Sequence, residues 1–510
     1  MNLSELVRES AARLPEKAAL IFRGQPIKYA EIEREVERAA AGLIALGVTP
    51  GDRVGVLVHN VPHFVYAFYG LLRAGAVMVP LNTMFTGEEI GTILTDSETR
   101  VVIAAEPYAR LIDGIRDTLP MLEHVVVVGA GPVGTITWEQ MVGSGRGPAA
   151  VATGDDDLAC LAYTSGTTGT PKGAMLSHRN LLANIEQMSN TPMLAENEDD
   201  VILLVLPLFH IYAMNVILGL TLKVGATALI MERFDPVSSL EHVEKHSVSV
   251  LFGAPPMFIA WLNTPGVERY DLSKVRLAVS GAAPLPAAVL EEFERRLGIT
   301  IWEGYGLTET SPAVTSNVMG SVAKPGSIGK PLPGVEVRIV DEDGDDVEEG
   351  DPGELVVRGP NVFGGYWRQQ EASDAVFMDG WFRTGDIGYA DADGYIFLID
   401  RSKDLVIVSG FNVYPREVEE VLVRHPKVAE AAVIGVPHPY TGEAVKAICA
   451  LRPGVSASEE EVIEFCGRSL ARFKCPQSVE FVDELPHHVT GKVLRRALRE
   501  GTPTPPLEAV

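Results

Sequence analysis

Residues 163–173 read YTSGTTGTPKG and follow directly on the apolar run LACLA (158–162). Three glycines, Gly166, Gly169 and Gly173, let the backbone turn so that several N–H groups face one anion. Thr164, Ser165, Thr167, Thr168 and Thr170 add hydroxyl donors, and Lys172 adds a point charge. Together they make a loop able to hold a polyphosphate. The spacing is not that of the nucleotide loop G-x-x-x-x-G-K-[ST]. A flexible linker would have no use for five hydroxyls, a proline and a lysine in this order.

On both sides of this loop, strand-like runs alternate with helix-like segments through residue 330. The runs are RVGVLV (53–58), AVMVPL (76–81), RVVIAA (100–105), VILLVL (201–206), VSVLFG (248–253) and VRLAVSG (275–281). Amphipathic stretches such as YAEIEREVERAAAGLIALG and LPAAVLEEFERRLG lie between them. Such alternation predicts an α/β fold with a mostly parallel sheet. From about 327 to 399 short β-type runs with frequent turns (VEVRIV, GELVVRG, GYIFLID) predict a β-rich subdomain. Beyond it, EVEEVLVRHP, VAEAAVIGV and AVKAICAL predict a small α+β domain. The expected division is therefore 1–399, a junction at 400–403, and 404–510. No internal repeat is found.

The 510 residues carry a formal charge of −25, and nearly all the excess is in the first 400. A field of that sign opposes non-specific binding to nucleic acid and to anionic membranes. Any polyphosphate must be met by local backbone donors and a few placed cations. Four cysteines, Cys160, Cys449, Cys466 and Cys475, make neither a disulfide framework nor a zinc spacing, which points to a reducing, cytoplasmic setting. The N-terminal MNLSELVRES lacks the apolar core of a signal peptide. Residues 201–222 are long and apolar enough to span a bilayer, but Pro207, His210 and Asn215 interrupt them. They are expected to form a buried strand turning at Pro207 into an apolar helix, with no transmembrane segment.

With the loop come six further blocks: LPLFHIYAMN (206–215), SGAAP (280–284), EGYGLTETSP (303–312), GWFRTGDIG (380–388), DRSKDLVIVSGFNVYP (400–415) and LPHHVTGKVLRR (485–496). In this order, across essentially the whole chain, they resemble the adenylate-forming superfamily of acyl-CoA and aryl-CoA ligases, luciferases and peptide-synthetase adenylation domains. The resemblance implies a large AMP-binding domain and a small mobile C-terminal domain. It also implies a two-step reaction using ATP, Mg²⁺ and coenzyme A. Carboxylate and MgATP give acyl-adenylate and pyrophosphate, and the coenzyme A thiolate then displaces AMP.

The resemblance assigns roles residue by residue. Thr164, Ser165, Gly166, Thr167, Thr168, Gly169 and Lys172 hold phosphate. Gly281, Ala282 and Ala283 with Glu303, Gly304, Tyr305, Gly306, Leu307 and Thr308 form the adenosine site; Gly304 and Gly306 permit close approach, and Tyr305 offers a flat face to a purine. Glu309 is the Mg²⁺ ligand, an oxygen donor suited to a hard cation. Asp386 and Arg401 contact the ribose, and Lys403 takes the hinge position. Lys492 becomes the catalytic lysine of adenylation, a fixed cation for charge developing on phosphate oxygens. No general base is needed, because the attacking carboxylate is ionised at neutral pH. His210 is a gate beside the carboxylate and the thiol, and Ser409, Gly410 and Phe411 line the pantetheine tunnel. His487 and His488 depart from the basic residue and threonine expected there.

The acid is read from Tyr212, Val216, Ala282, Gly304, Gly306, Leu307 and Val314, a mostly small or apolar set suited to a deep slot. The leading expectation is a medium- or long-chain fatty acid, with depth beside Gly306 for the chain. HIYAMN also resembles aryl-acid (coumarate- or benzoate-type) ligases, whereas IVSGFNVYP is closer to bacterial fatty acyl-CoA ligases. A luciferase-like oxygenase and an enzyme serving a carrier protein are the other classes considered. The expected partners are small molecules, with no nucleic acid, possible only peripheral contact with membrane, and a monomer or homodimer as the assembly. Two lookalikes fail on spacing: His242 and His246 lack the zincin glutamate, and DEDGDDVEEGD (341–351) has Asp346 where a calcium loop needs glycine.

Overall fold

The computed structural model describes residues 1–145, 151–164, 171–191, 197–320, 322–401, 404–408, 411–438, 442–470, 472–487 and 493–500. The chain divides into two compact units, residues 1–336 with 357–382 and residues 337–356 with 383–510.

In the first unit, each apolar run of the alternating pattern is a strand. One sheet runs in the order Gln25–Lys28, Ala18–Phe22, Thr227–Ile230, Val201–Leu204, Val250–Gly253, Leu277–Ser280, Ile301–Gly306. Its inner pairs are all parallel. Ala313–Ser316 and Ser327–Pro331 continue it antiparallel. The other sheet orders Ile136–Thr137, His124–Val128, Val101–Ala105, Arg53–Leu57, Val77–Pro80, Leu158–Thr164 and Lys172–Ser177, and only its last pair is antiparallel. Central strands such as Val101–Ala105, Val250–Gly253 and Leu277–Ser280 are buried on both faces, which is why they read as unbroken apolar runs.

Helix Pro62–Arg73 is buried along its whole length, and its Phe64, Phe68 and Tyr69 are fully covered. A Cβ on Gly70 would sit 2.6 Å from Ala39 Cβ, so glycine permits the close approach of helix Tyr29–Ala45. Arg73 ends the helix in the interior, where both its terminal nitrogens donate to Glu33 (2.6 and 2.9 Å) and one also to the Ser4 carbonyl. Removing either partner would strand a buried charge at a cost of about 3–5 kcal/mol.

Residues 201–222 split as expected at Pro207, but the helix beyond is wound differently. Tyr212–Gly219 form a π-helix, continued by the α-helix Leu220–Val224, which Gly225 ends at φ 85°. Extended π-helix is rare and concentrates at functional sites. Among the described residues no helix is long and apolar enough to cross a membrane.

In the second unit, residues 386–390 pair antiparallel with Ile396–Arg401. A separate sheet joins Phe411–Val413, Val406–Val408, Gly442–Leu451, Val428–His438 and Ser478–Val482. Helices Pro415–Leu422 and Glu459–Cys466 contribute Val418, Leu422, Val462 and Cys466 to its core. The acidic run closes as a turn, with Asp341 Oδ1 accepting from Asp343 N and Asp345 N. His242 and His246 stack on one another, and His242 Nδ1 lies 2.7 Å from the Ser238 carbonyl.

Candidate active site

The strands Leu158–Thr164 and Lys172–Ser177 are the two arms of the glycine-rich motif, and their register sets Thr164 opposite Lys172. Ser165, Gly166, Thr167, Thr168, Gly169 and Thr170 lie outside the described residues. A Cβ on Gly173 would press to 3.0 Å on the Tyr163 ring, whose hydroxyl donates to Asp96 Oδ2.

Residues 361–367 lie along this hairpin. Trp367 N donates to the Gly173 carbonyl (2.8 Å) and Met175 N to that of Gly365 (3.0 Å). Tyr366 is thereby brought between two predicted site residues. Lys172 Nζ stands 5.1 Å from its ring centroid, and its Oη donates to Glu309 Oε1 at 2.9 Å. Burial, with the Glu309 charge and hydrogen bond added, pushes the phenol far above its usual range, so it stays a donor.

Glu309 itself is 8 % exposed and sits in the short 3₁₀ turn Thr308–Thr310. Several donors hold that turn: Asn361 Nδ2 to the Thr310 carbonyl (2.9 Å), Phe363 N to that of Glu309 (2.8 Å), and Asn215 Nδ2 to that of Ser311 (2.7 Å). Buried Asn184 both donates to and accepts from the Ala313 backbone. Ser311 and Ala282 occupy left-handed backbone at φ 71° and 70°, unusual for residues with a side chain and typical of functional sites.

One expectation is corrected here. Gly306 was expected to leave depth for an acyl chain, but a Cβ on it would lie 2.0 Å from the Pro312 carbonyl oxygen and 2.6 Å from its carbon. The direction a side chain would take runs into the antiparallel partner strand, not into an open slot. By contrast, a Cβ on Gly304 would meet nothing closer than 3.4 Å.

The SGAAP segment packs against the π-helix. A Cβ on Gly281 would meet the Tyr212 ring at 3.1 Å, and Leu285 N donates to Glu303 Oε1 at 3.1 Å, tying this segment to the EGYG strand. Ala283, Tyr305, Leu307 and Thr308 are half-buried, while Val216 and Val314 are buried. The Tyr212 hydroxyl oxygen is buried and has no hydrogen-bond partner among the described residues. His210 opens the π-helix: its carbonyl accepts from Met214 N, and its Nδ1 from Tyr212 N (3.3 Å). Lys172, Glu309, His210, Tyr212 and the SGAAP and EGYG segments thus form one connected region of the first unit.

In the second unit, the strand register pairs Asp386 with Arg401; Asp386 is 4 % exposed. The side chains of Arg401 and Phe411 are outside the described residues, as are Lys403, Ser409, Gly410, His488 and Lys492 entirely. His487 pairs with Glu430 at 2.6 Å and forms a β-bridge with Val493. Lys446 and Lys474 are held by Glu480 and Glu417, each at 2.7 Å.

Among the described residues no group of three or more His, Cys, Asp or Glu side chains could cage a metal ion. A single buried carboxylate at Glu309 instead fits Mg²⁺, which typically takes one or two carboxylates and completes its shell with substrate phosphates and water. Tyr366, Asn361 and Asn184 were not singled out from sequence, and Asn215 only as a polar interruption of an apolar run. Only the glycine pair before Tyr366 hinted at a close approach of backbone.

Two family descriptions match the chain: AMP-binding enzyme over residues 7–367 and AMP-binding enzyme C-terminal domain over 417–492. The chain is 36% identical to a long-chain-fatty-acid–CoA ligase of Bacillus subtilis, with 98% of this chain and 94% of that protein covered. It is 38% identical to a feruloyl-CoA synthase of an Amycolatopsis species, over 95% and 96% respectively. The crystal structure of ATP-bound MatB from Rhodopseudomonas palustris superposes with a TM-score of 0.90 at 36% identity, covering 98% of this chain and 99% of that one.

Proposed function

The chain belongs to the AMP-binding enzyme family, and on that premise we propose that it is an AMP-forming acid–CoA ligase acting on medium- or long-chain fatty acids. The observation that carries the acid is full-length similarity to a long-chain-fatty-acid–CoA ligase. The burial of Val216, in the π-helix, and of Val314 agrees with an apolar chain.

In this reading the substrate carboxylate, beside His210, attacks the α-phosphorus of ATP. The P–O bond to pyrophosphate breaks, and acyl-adenylate forms. Lys172, Thr164 and the loop 165–170 hold the phosphates, Asp386 and Arg401 the ribose, and Lys492 stabilises charge on the α-phosphate oxygens. Glu309 would hold Mg²⁺, whose charge would offset that of the triphosphate when bound. The chain then turns about Lys403. The coenzyme A thiolate, threaded past Ser409, Gly410 and Phe411, attacks the acyl carbonyl and expels AMP. The free thiols and the substrates fit a cytoplasmic place in fatty acid metabolism, and the domain division at 400–403 belongs to the same proposal.

A second reading has one specific observation behind it. The partnerless Tyr212 hydroxyl is a buried donor that an acid with its own polar group would satisfy, and an aryl acid of the feruloyl type carries one. Pyrophosphate release across C4 to C16 acids, cinnamate, ferulate and benzoate, with and without coenzyme A, decides between them. Activity is expected to rise from hexanoate to at least decanoate and to need coenzyme A for turnover. A preference for cinnamate or ferulate over every fatty acid would replace the fatty-acid reading with the aryl one. Equal turnover without coenzyme A would refute the ligase reading.

A further inference from the structure

Asn60 is 3 % exposed and sits just past the carboxyl end of strand Arg53–Leu57, in a tight turn closed by Val61 N donating to the His59 carbonyl (2.8 Å). Its carboxamide reaches across to the other sheet of the first unit. Nδ2 donates to the carbonyls of Leu206 (3.0 Å), Met231 (3.2 Å) and Val205 (3.3 Å), and Oδ1 accepts from Leu208 N (2.8 Å). Those residues follow the strands Val201–Leu204 and Thr227–Ile230, so one side chain ties together the carboxyl ends of three strands from two sheets. In open α/β sheets that end is where ligands bind.

Leu206 and Leu208 flank Pro207, and the Pro207 carbonyl accepts from His210 N (3.0 Å). His210 in turn leads into the π-helix Tyr212–Gly219, its own carbonyl accepting from Met214 N (3.0 Å). Proline has no N–H by which to be held, so the turn depends on the groups on either side of it. A carboxamide suits that task, because it donates to the carbonyl before Pro207 and accepts from the N–H after it. We propose that Asn60 is a positioning residue for the acid side of the site: it fixes the Pro207 turn and, through it, the place of His210. The inference rests on the role given above to His210 as the gate beside the carboxylate, and it adds a residue outside the blocks that carry the family resemblance.

The test uses the full chain and follows pyrophosphate release with decanoate, ATP and coenzyme A, beside urea unfolding. Asn60→Ala is expected to lower kcat/KM for decanoate at least about tenfold, since displacing a group at the reaction by about 1 Å can cost about a hundredfold. KM for ATP should change less than about threefold, because none of the four bonds ends on the SGAAP, EGYG or glycine-rich segments. A general loosening of the fold would weaken both substrates alike. A double-mutant cycle with His210→Ala then decides whether the effect passes through His210. If it does, adding Asn60→Ala to His210→Ala should cost less than about threefold more. Full additivity, or equal losses for decanoate and ATP, overturns the positioning role. If Asn60→Ala keeps the parent's kcat/KM while His210→Ala does not, the positioning role is overturned and that of His210 stands. If His210→Ala alone keeps the parent's kcat/KM, both are overturned. Should Asn60→Ala fail to fold, Asn60→Ser, which retains a hydroxyl donor, goes through the same cycle under the same criteria.

Discussion

Gly306→Val separates a pocket residue from a backbone contact. The added Cβ would start 2.0 Å from the Pro312 oxygen, 2.6 Å from the Pro312 carbon and 3.0 Å from Ala313 Cα. Non-bonded heavy atoms settle at roughly 3.5–4 Å, so the strands Ile301–Gly306 and Ala313–Ser316 must part by more than about 1 Å. No side chain can yield instead, because all three obstacles are backbone. Parting them breaks the Leu307 N to Pro312 carbonyl bond (3.1 Å) and the Gly306–Ala313 register. Overpacking costs about 1–3 kcal/mol and the lost hydrogen bond about 1 kcal/mol, which together give about 2–4 kcal/mol. Glu309 lies three residues along the same turn, so its carboxylate moves with the distortion. The assay is kcat/KM across C4 to C16 acids beside urea unfolding. The variant should be destabilised and should lose at least about tenfold in kcat/KM for every acid alike. A variant with the parent's urea midpoint and an optimum shifted to shorter acids would refute the reasoning and return Gly306 to the wall of an acyl slot.

Other outcomes follow from the same structure and from the family roles. Lys492→Ala should cut acyl-adenylate formation about a hundredfold or more while sparing thioester formation from supplied acyl-adenylate; equal loss of both half-reactions in a folded variant would remove its assigned role. Gly410→Leu should block thioester formation and spare pyrophosphate exchange, and an unchanged thioester yield would place the thiol's path elsewhere. His178, buried with its Nδ1 accepting from Leu3 N, has its pKa lowered to about 4, mainly by desolvation and further by the N-terminal ammonium, against an opposing effect of Asp157. Between pH 6.5 and 4 the unfolded chain therefore binds the extra proton, so stability falls as pH falls and the loss levels off below about pH 4. From pH 7 to 4 this amounts to about 3 kcal/mol, and urea titrations of His178→Asn should show an acid slope shallower by that much. Parallel slopes for parent and variant would contradict it.

The α/β class was legible because buried parallel strands need continuous apolar runs, and each run quoted from the first 330 residues is a strand, with ends moved by a few residues at most. Chemistry was legible where it is written contiguously. YTSGTTGTPKG and EGYGLTETSP each gather donors and glycines in one short stretch of sequence, and the resemblance they carry supplied the expected roles. The split at Pro207 was equally local, since proline removes a donor and fixes φ. What sequence could not supply is whatever depends on which strands become neighbours. The π-winding of Tyr212–Gly219, the backbone wall beside Gly306 and the carboxylates that hold Lys446 and Lys474 all depend on partners distant in sequence or on packing. Tyr366 is the plainest instance: 57 residues separate it from Glu309, and nothing in GGYW signals a carboxylate partner. A motif is local covalent information, whereas a hydrogen bond between chain-distant groups exists only after the sheets have closed. Sequence by itself determined the fold class, the family and the two contiguous motifs; the tertiary structure decided that a phenol from outside them stands between the lysine and the glutamate.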